Sequence, residues 1–289
     1  MKALIRNYSK EKGISSQIIL RIVLFEMFLE KLALSDYKDQ FIIKGGFLIS
    51  SLANIHLRTT MDLDITIDSL SLDTKFFKKV IPTILQIPTR LHLNMELVQM
   101  EFIHEEGEYS GLRATILVKF DGVNERVKID FTTGDSMTPH AIVFSYPTIL
   151  EGVPIQLKSY NTETVLSEKL ETILSRGATN SRTRDFYDVH LLLHLSTPID
   201  AHLFTLAFRN TSRNRGTYEN IISHLDSIIN SLSKDEEMRR RWKIYQEFNP
   251  YAAGIGWSEI IHSINILAIL LQEQYRSEKA ADSIIPSKN

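Results

Sequence analysis

The chain has 289 residues, about twice the usual size of a single domain, so it forms one large domain or two ordinary ones. Its 43% hydrophobic and 24% charged residues are ordinary for a globular protein and exclude a collagenous, coiled-coil or largely disordered chain. Lys and Arg number 33 against 35 Asp and Glu; the net charge of -2 argues against a whole-surface nucleic-acid binder, and the lack of cysteine excludes disulfides, thiolate zinc sites and a cysteine nucleophile.

The stretch Met1–Tyr8 has no apolar run ahead of Lys10, Glu11 and Lys12, so no targeting segment is expected. The apolar stretches around Ile18–Leu29 and Ile264–Leu271 are interrupted or too short to cross a bilayer, so the expectation is a cytoplasmic protein with no membrane partner. Ser15 and Ser16 precede a run from Ile18 to Leu32 that is apolar on nearly every side, the pattern of a capped, deeply packed helix. Phe41-Ile42-Ile43 then meets Lys44-Gly45-Gly46. Behind the glycines, Phe47, Leu48, Leu52 and Ala53 recur at helical spacing, which puts the glycine pair at a helix N-terminus. Arg58-Thr59-Thr60 leads into Met61–Asp68, which alternates polar and apolar residues and predicts a half-buried strand with its carboxylates on one face.

Further strands are predicted over Leu91–Phe102, Leu112–Phe120 and Arg126–Phe131, the last two joined by a hairpin at Asp121-Gly122. After Pro147 and Pro154, helical patterns dominate from about Thr162 to Glu278, with breaks at Arg176–Asn180, Thr197-Pro198, Thr211–Gly216 and Asn249–Gly256, and with a frayed tail at Asp282–Asn289. The chain therefore divides into an α/β part, residues 1–158, and a mostly helical part, residues 159–289.

The densest chemistry lies in Gly45-Gly46 followed by Asp62-Leu63-Asp64. Carboxylates at i and i+2 of a strand point the same way, with backbones ~6–7 Å apart. Such a pair suits magnesium, which takes hard oxygen ligands and leaves room for phosphate oxygens. The glycines at a helix start offer backbone N–H groups to a phosphate, with Lys44 adding charge beside them. Taken singly, an Asp-x-Asp on an exposed strand is usually solvated and a Gly-Gly is usually a turn. In Arg126–Phe131, Lys128 and Asp130 share a face, and Asp130 is either a third ligand, a general base or part of a plain amphipathic hairpin.

In the helical half, Leu166, Leu170, Ile173 and Leu174 define a buried stripe, and Lys169, next to Leu170, sits either at the rim of a cleft or simply in water. Arg184, Asp185 and Asp188 fall at i,i+1,i+4 spacing, for which the ordinary account is an intrahelical salt bridge. Basic clusters at Arg176–Arg184 and at Arg209, Arg213 and Arg215, with Tyr187, Phe208 and Tyr218 nearby, suit a nucleotide or an RNA end. The cluster Arg239, Arg240, Arg241 and Lys243 follows Asp235, Glu236 and Glu237 and reads as a solvated helix face.

The motifs and their order resemble the AbiEii/AbiGii nucleotidyltransferase-like toxins of bacterial toxin–antitoxin and abortive-infection systems. The resemblance runs from about Phe41 to Asp188. It rests on Lys44-Gly45-Gly46, on Arg58-Thr59-Thr60-Met61-Asp62-Leu63-Asp64, on Lys128-Ile129-Asp130, on Ser167-Glu168-Lys169-Leu170 and on Arg184-Asp185-Phe186-Tyr187-Asp188. It implies an α+β chain: a polymerase-β-like nucleotidyltransferase domain, a mixed sheet flanked by helices, followed by a helical domain that completes the active-site cleft. It further implies a nucleoside triphosphate substrate, Mg2+ as cofactor, transfer to an RNA such as the tRNA 3′ end, a cognate antitoxin encoded nearby, and a monomer.

By that resemblance Asp62, Asp64 and Asp130 are the metal carboxylates, Lys169 binds triphosphate and Asp185 is the catalytic acid of the second domain. Lys44, Gly45, Gly46 and Thr60 line the nucleotide, and Arg58, Lys128, Arg184 and Asp188 support these groups. Thr60 stands where the family has a serine, and Gly46 where typical nucleotidyltransferases have a serine. Either Asp130 or Asp185 activates the acceptor hydroxyl. Two rival readings are a nucleotidyltransferase acting on a small, antibiotic-like molecule and a non-catalytic protein that binds nucleotide or RNA.

Overall fold

A computed structural model describes residues 1–53, 60, 62–68, 73–91, 93–104, 110–149 and 152–284. The chain divides into two compact units, the first comprising Met1–Asp135 and Ala141–Tyr160, the second Ser136–His140 and the chain from Asn161 onward.

The first unit contains α1 (Lys2–Lys12), α2 (Ser16–Ala33), β1 (Phe41–Lys44), α3 (Gly45–Leu52), β2 (Asp62–Ile67), α4 (Thr74–Leu85), β3 (Asn94–His104), β4 (Ser110–Phe120), β5 (Val123–Thr133), β6 (Ile142–Tyr146) and β7 (Ile155–Ser159). Its seven strands form one mixed sheet in the order β3-β4-β5-β2-β1-β7-β6, with the β2–β5 and β1–β7 pairs parallel and the others antiparallel. One face of the central strands is the core: Phe41, Ile43, Leu63, Ile65, Ile67, Ile129 and Phe131 are buried there. Helix α4 covers that face through Phe77, whose ring lies 6.1 Å from Phe41 and 5.1 Å from Phe131. The alternation of β2 thus leaves Asp62, Asp64 and Thr66 together on the opposite face.

The anticipated helix after Ser15 is α2, and the Ser15 side chain accepts from the Gln17 N–H at 3.3 Å as an N-cap. The hairpin at Asp121-Gly122 is present, both residues having positive φ (46° and 73°), the geometry of a type I′ turn. The sequence reading passed over α1, whose single buried residue, Ile5, packs with Ile14, Ile19 and Val23. It also passed over α4 and the short strands β6 and β7.

The second unit is helical: α5 (Thr162–Arg176), α6 (Thr183–Leu193), α7 (Ala201–Asn214), α8 (Tyr218–Lys234), α9 (Glu236–Phe248) and α10 (Trp257–Ile284). Helix α5 is capped by Asn161, which accepts from the Thr164 N–H at 2.8 Å, and its stripe of Leu166, Leu170, Ile173 and Leu174 is buried as anticipated. The break anticipated at Thr211–Gly216 begins later, because α7 continues to Asn214 with Thr211 and Ser212 buried. Of the tail read as frayed, residues up to Ile284 belong to α10, and the remainder lies outside the described residues. No helix among the described residues is long and apolar enough to cross a membrane.

Candidate active site

In the first unit the anticipated residues meet where β1 gives way to α3. Gly45 opens α3 with φ +65°, a left-handed conformation that a side chain resists. Space makes the same demand: a Cβ on Gly45 would lie 2.1 Å from Asp64 Oδ2. Glycine therefore lets β2 carry Asp64 under the start of α3, where the Gly46 N–H donates to Asp64 Oδ2 at 3.3 Å. The carboxylate sits at the positive end of the helix dipole. Thr60 Oγ1 donates to the Asp62 carbonyl at 2.9 Å and so fixes the entry to β2.

Strand register arranges the charges in rows. Lys44, Asp64, Asp130, Arg113 and Glu101 are successive partners across β1, β2, β5, β4 and β3 and share one face. In the adjoining row Asp62 is partnered by Lys128, whose side chain is exposed. Arg113 binds Asp130 through a two-pronged fork, Nε to Oδ1 at 2.7 Å and Nη2 to Oδ2 at 2.6 Å. That bond raises the already high pKa of the guanidinium further. Lys44 pairs with Asp135 at 2.7 Å, and Thr66 and Thr132 each donate to the same Asp135 oxygen at 2.8 Å. Burial alone would raise the Asp135 carboxyl, but Lys44 and the two hydroxyls outweigh it and hold it below the usual carboxylate range.

Asp62 has no hydrogen-bond or ion-pair partner for its carboxylate among the described residues. Burial first, and the neighbouring Asp130 second, push it above the ordinary value, and the charges of Arg113, Lys128 and Arg21 offset this only in part.

In the second unit, α5 and α6 bring Lys169 to Asp185 at 2.5 Å and to Asp188 at 3.4 Å, with both aspartates buried. The aspartates thus tie one helix to another, where the sequence suggested a pair within α6. Arg184 is half-buried at the start of α6. Of the basic cluster read as suiting a nucleotide or an RNA end, Arg209 is engaged by Glu278 and Arg215 by Glu171 and Glu168. These arginines join elements of the second unit. The cluster on α9 is the solvated face anticipated, with Glu237 bridging Arg240 and Arg241. Arg58 lies outside the described residues, as do Thr59 and Met61.

The sequence reading missed Arg113 and Asp135, whose partners are 17 and 91 residues away in the chain. The available signal for Arg113 was its place between the apolar Leu112 and Ala114, which puts it on the face of Asp130 once β4 and β5 pair.

Among the described residues no three carboxylate or imidazole groups come together in a way that would hold a metal ion. Asp62 and Asp64 nevertheless offer hard oxygen donors from one face of β2. Magnesium is commonly bound by one or two carboxylates plus substrate phosphates, so this pair fits it.

A mixed sheet presenting paired aspartates beside a glycine-opened helix, in a chain that continues into a helical unit, defines an α+β protein of the nucleotidyltransferase type. Residues 27–258 match the family described as nucleotidyl transferase AbiEii toxin, type IV TA system, and the chain belongs to that family of nucleotidyltransferases. No curated protein matches it. Among solved structures it is similar to JHP933 from Helicobacter pylori, with 14% identity over 93% of this chain and 99% of that one and a TM-score of 0.44. It is also similar to an antigenic nucleotidyltransferase-like protein from Paracoccidioides brasiliensis, with 16% identity over 71% and 92% of the two chains and a TM-score of 0.41.

Proposed function

We propose that this toxin transfers a nucleotidyl group from a nucleoside triphosphate to a hydroxyl of RNA, such as the tRNA 3′ end. It thereby arrests growth in the cytoplasm as the toxic half of a phage-defence pair, acting as a monomer until a cognate antitoxin encoded nearby restrains it. The observation that carries the reading is the pairing of Asp62 and Asp64 on one face of β2, the first half-buried and the second fixed at the start of α3.

Asp62 and Asp64 would hold Mg2+, which when bound neutralises charge on the phosphates. Lys44, Gly45, Gly46 and Thr60 shape the turn that faces the nucleotide, and Lys169 binds the triphosphate. The acceptor oxygen forms a bond to the α-phosphorus as the bond to the bridging oxygen breaks. Pyrophosphate leaves in line, and Asp130 or Asp185 takes the hydroxyl proton. Positioning and charge neutralisation supply most of the acceleration, since no covalent enzyme intermediate forms. Lys128, Arg184 and Asp188 orient these groups.

Expression in growing cells tests the assignment. Asp62→Ala and Lys169→Ala, each shown to be folded by circular dichroism, relieve growth arrest; full toxicity from both folded variants refutes it.

A further inference from the structure

Three carboxylates on neighbouring strands of one sheet face invite the assumption that all three ligate metal. The geometry at Asp130 points elsewhere. Both of its oxygens already accept from Arg113, in parallel hydrogen bonds of 2.7 and 2.6 Å. The two residues are register partners on β5 and β4, so the backbone itself holds the fork in place. The Asp130 side chain is 10% exposed and that of Arg113 25%, which leaves little water to exchange with the pair. A cation approaching Asp130 would have to share an oxygen that already accepts a charge-assisted N–H bond and then remain beside a guanidinium. Arg, unlike Lys, matches a carboxylate with two fixed donors and keeps its charge at any physiological pH.

We propose that Arg113 is the standing counter-ion of this site and withdraws Asp130 from the metal ligands, so that the first unit recruits one divalent cation, through Asp62 and Asp64, and not two. Arg113 is then a positioning residue that acts through Asp130. The proposal rests on the reading of Asp62 and Asp64 as the metal-holding pair.

The test is a titration of the full chain with Mn2+ alone, following the free ion by electron paramagnetic resonance. The wild type binds one Mn2+ per chain. Asp130→Asn leaves that affinity within about twofold, whereas Asp64→Asn weakens it by about tenfold or more, the scale on which metal sites respond to altered ligation. Arg113→Gln frees Asp130 and either adds a second Mn2+ or tightens the first about tenfold. Arg113→Lys keeps the charge without the fork and falls between. Two Mn2+ on the wild type and one on Asp130→Asn, or an Asp130→Asn affinity weakened as much as that of Asp64→Asn, overturns the proposal and leaves the Asp62–Asp64 reading standing. A wild type that binds no Mn2+, or binds it equally after Asp62→Asn and Asp64→Asn, refutes that reading itself. Should Arg113→Gln fail to fold, the Asp130→Asn and Asp64→Asn comparison decides alone.

Discussion

Gly45→Ala separates two reasons for a glycine that are usually inseparable, because the same unit supplies its control. Gly13 and Gly45 have nearly the same φ, +66° and +65°. Around Gly13 a new Cβ meets nothing within 4 Å; at Gly45 it meets Asp64 Oδ2 at 2.1 Å, Cγ at 2.7 Å and Cβ at 2.8 Å. Gly13→Ala therefore bears only the left-handed backbone, about 1–2 kcal/mol. Rotation of the Asp64 side chain relieves the first two contacts at Gly45 but not the third, since its Cβ is fixed to β2. The strand must move by about half an ångström, and such overpacking adds ~1–3 kcal/mol. Gly45→Ala is thus expected to cost about 2–5 kcal/mol in urea unfolding.

Asp64→Ala removes the two nearest obstructing atoms, so the pair should couple by about 1 kcal/mol or more in a double-mutant cycle. Transfer activity should survive Gly13→Ala and fail in Gly45→Ala, whose Asp64 is displaced. A Gly45→Ala protein no less stable than Gly13→Ala, additive with Asp64→Ala and fully active, would refute the reasoning.

Asp62→Asn should stabilise the ligand-free protein near neutral pH while abolishing transfer, by about 0.5–1 kcal/mol in urea titration, the usual gain from relieving a strained functional group. The sign follows from linkage: a carboxyl raised in the folded state opposes folding above that raised value, and the advantage of Asn vanishes below the ordinary carboxylate value of about 4. Asp135→Asn should do the reverse and cost about 3 kcal/mol at pH 7. Because the folded Asp135 carboxyl is depressed, its contribution is present above the ordinary value and is lost as pH falls through the depressed one, so the mutant and wild-type curves should converge in acid. Lys169→Met leaves Asp185 and Asp188 buried without their counter-ion and should destabilise the second unit by about 3–5 kcal/mol. Adding Asp185→Asn and Asp188→Asn should restore much of that stability, read by thermal melting, without restoring toxicity.

What was legible in the sequence was local. The alternation through Asp62–Asp68 announced β2 because a strand with one face in the core must alternate, and Lys44-Gly45-Gly46 announced a helix start because only glycine tolerates both the φ and the closeness of Asp64. The carboxylates that β2 places on one face were legible for the same reason. Arg113 and Asp135 were not, since each acquires meaning only from a partner set by strand register or by a turn, and neither spacing nor composition encodes that register. Arg209 and Arg215 misled in the opposite sense: as sequence they were a basic loop, and only the packing of the second unit reveals Glu278, Glu171 and Glu168 opposite them. Helix α1 was obscured by its charge, because one buried isoleucine leaves almost no hydrophobic period to read.

The most direct measurement incubates purified protein with tRNA and each nucleoside triphosphate, labelled in turn at the α- and γ-phosphate. The account predicts α-label joined to the RNA, γ-label released as pyrophosphate, and no product from folded Asp62→Asn or Asp64→Asn. Transfer of γ-label, or undiminished α-label transfer by both variants, contradicts it.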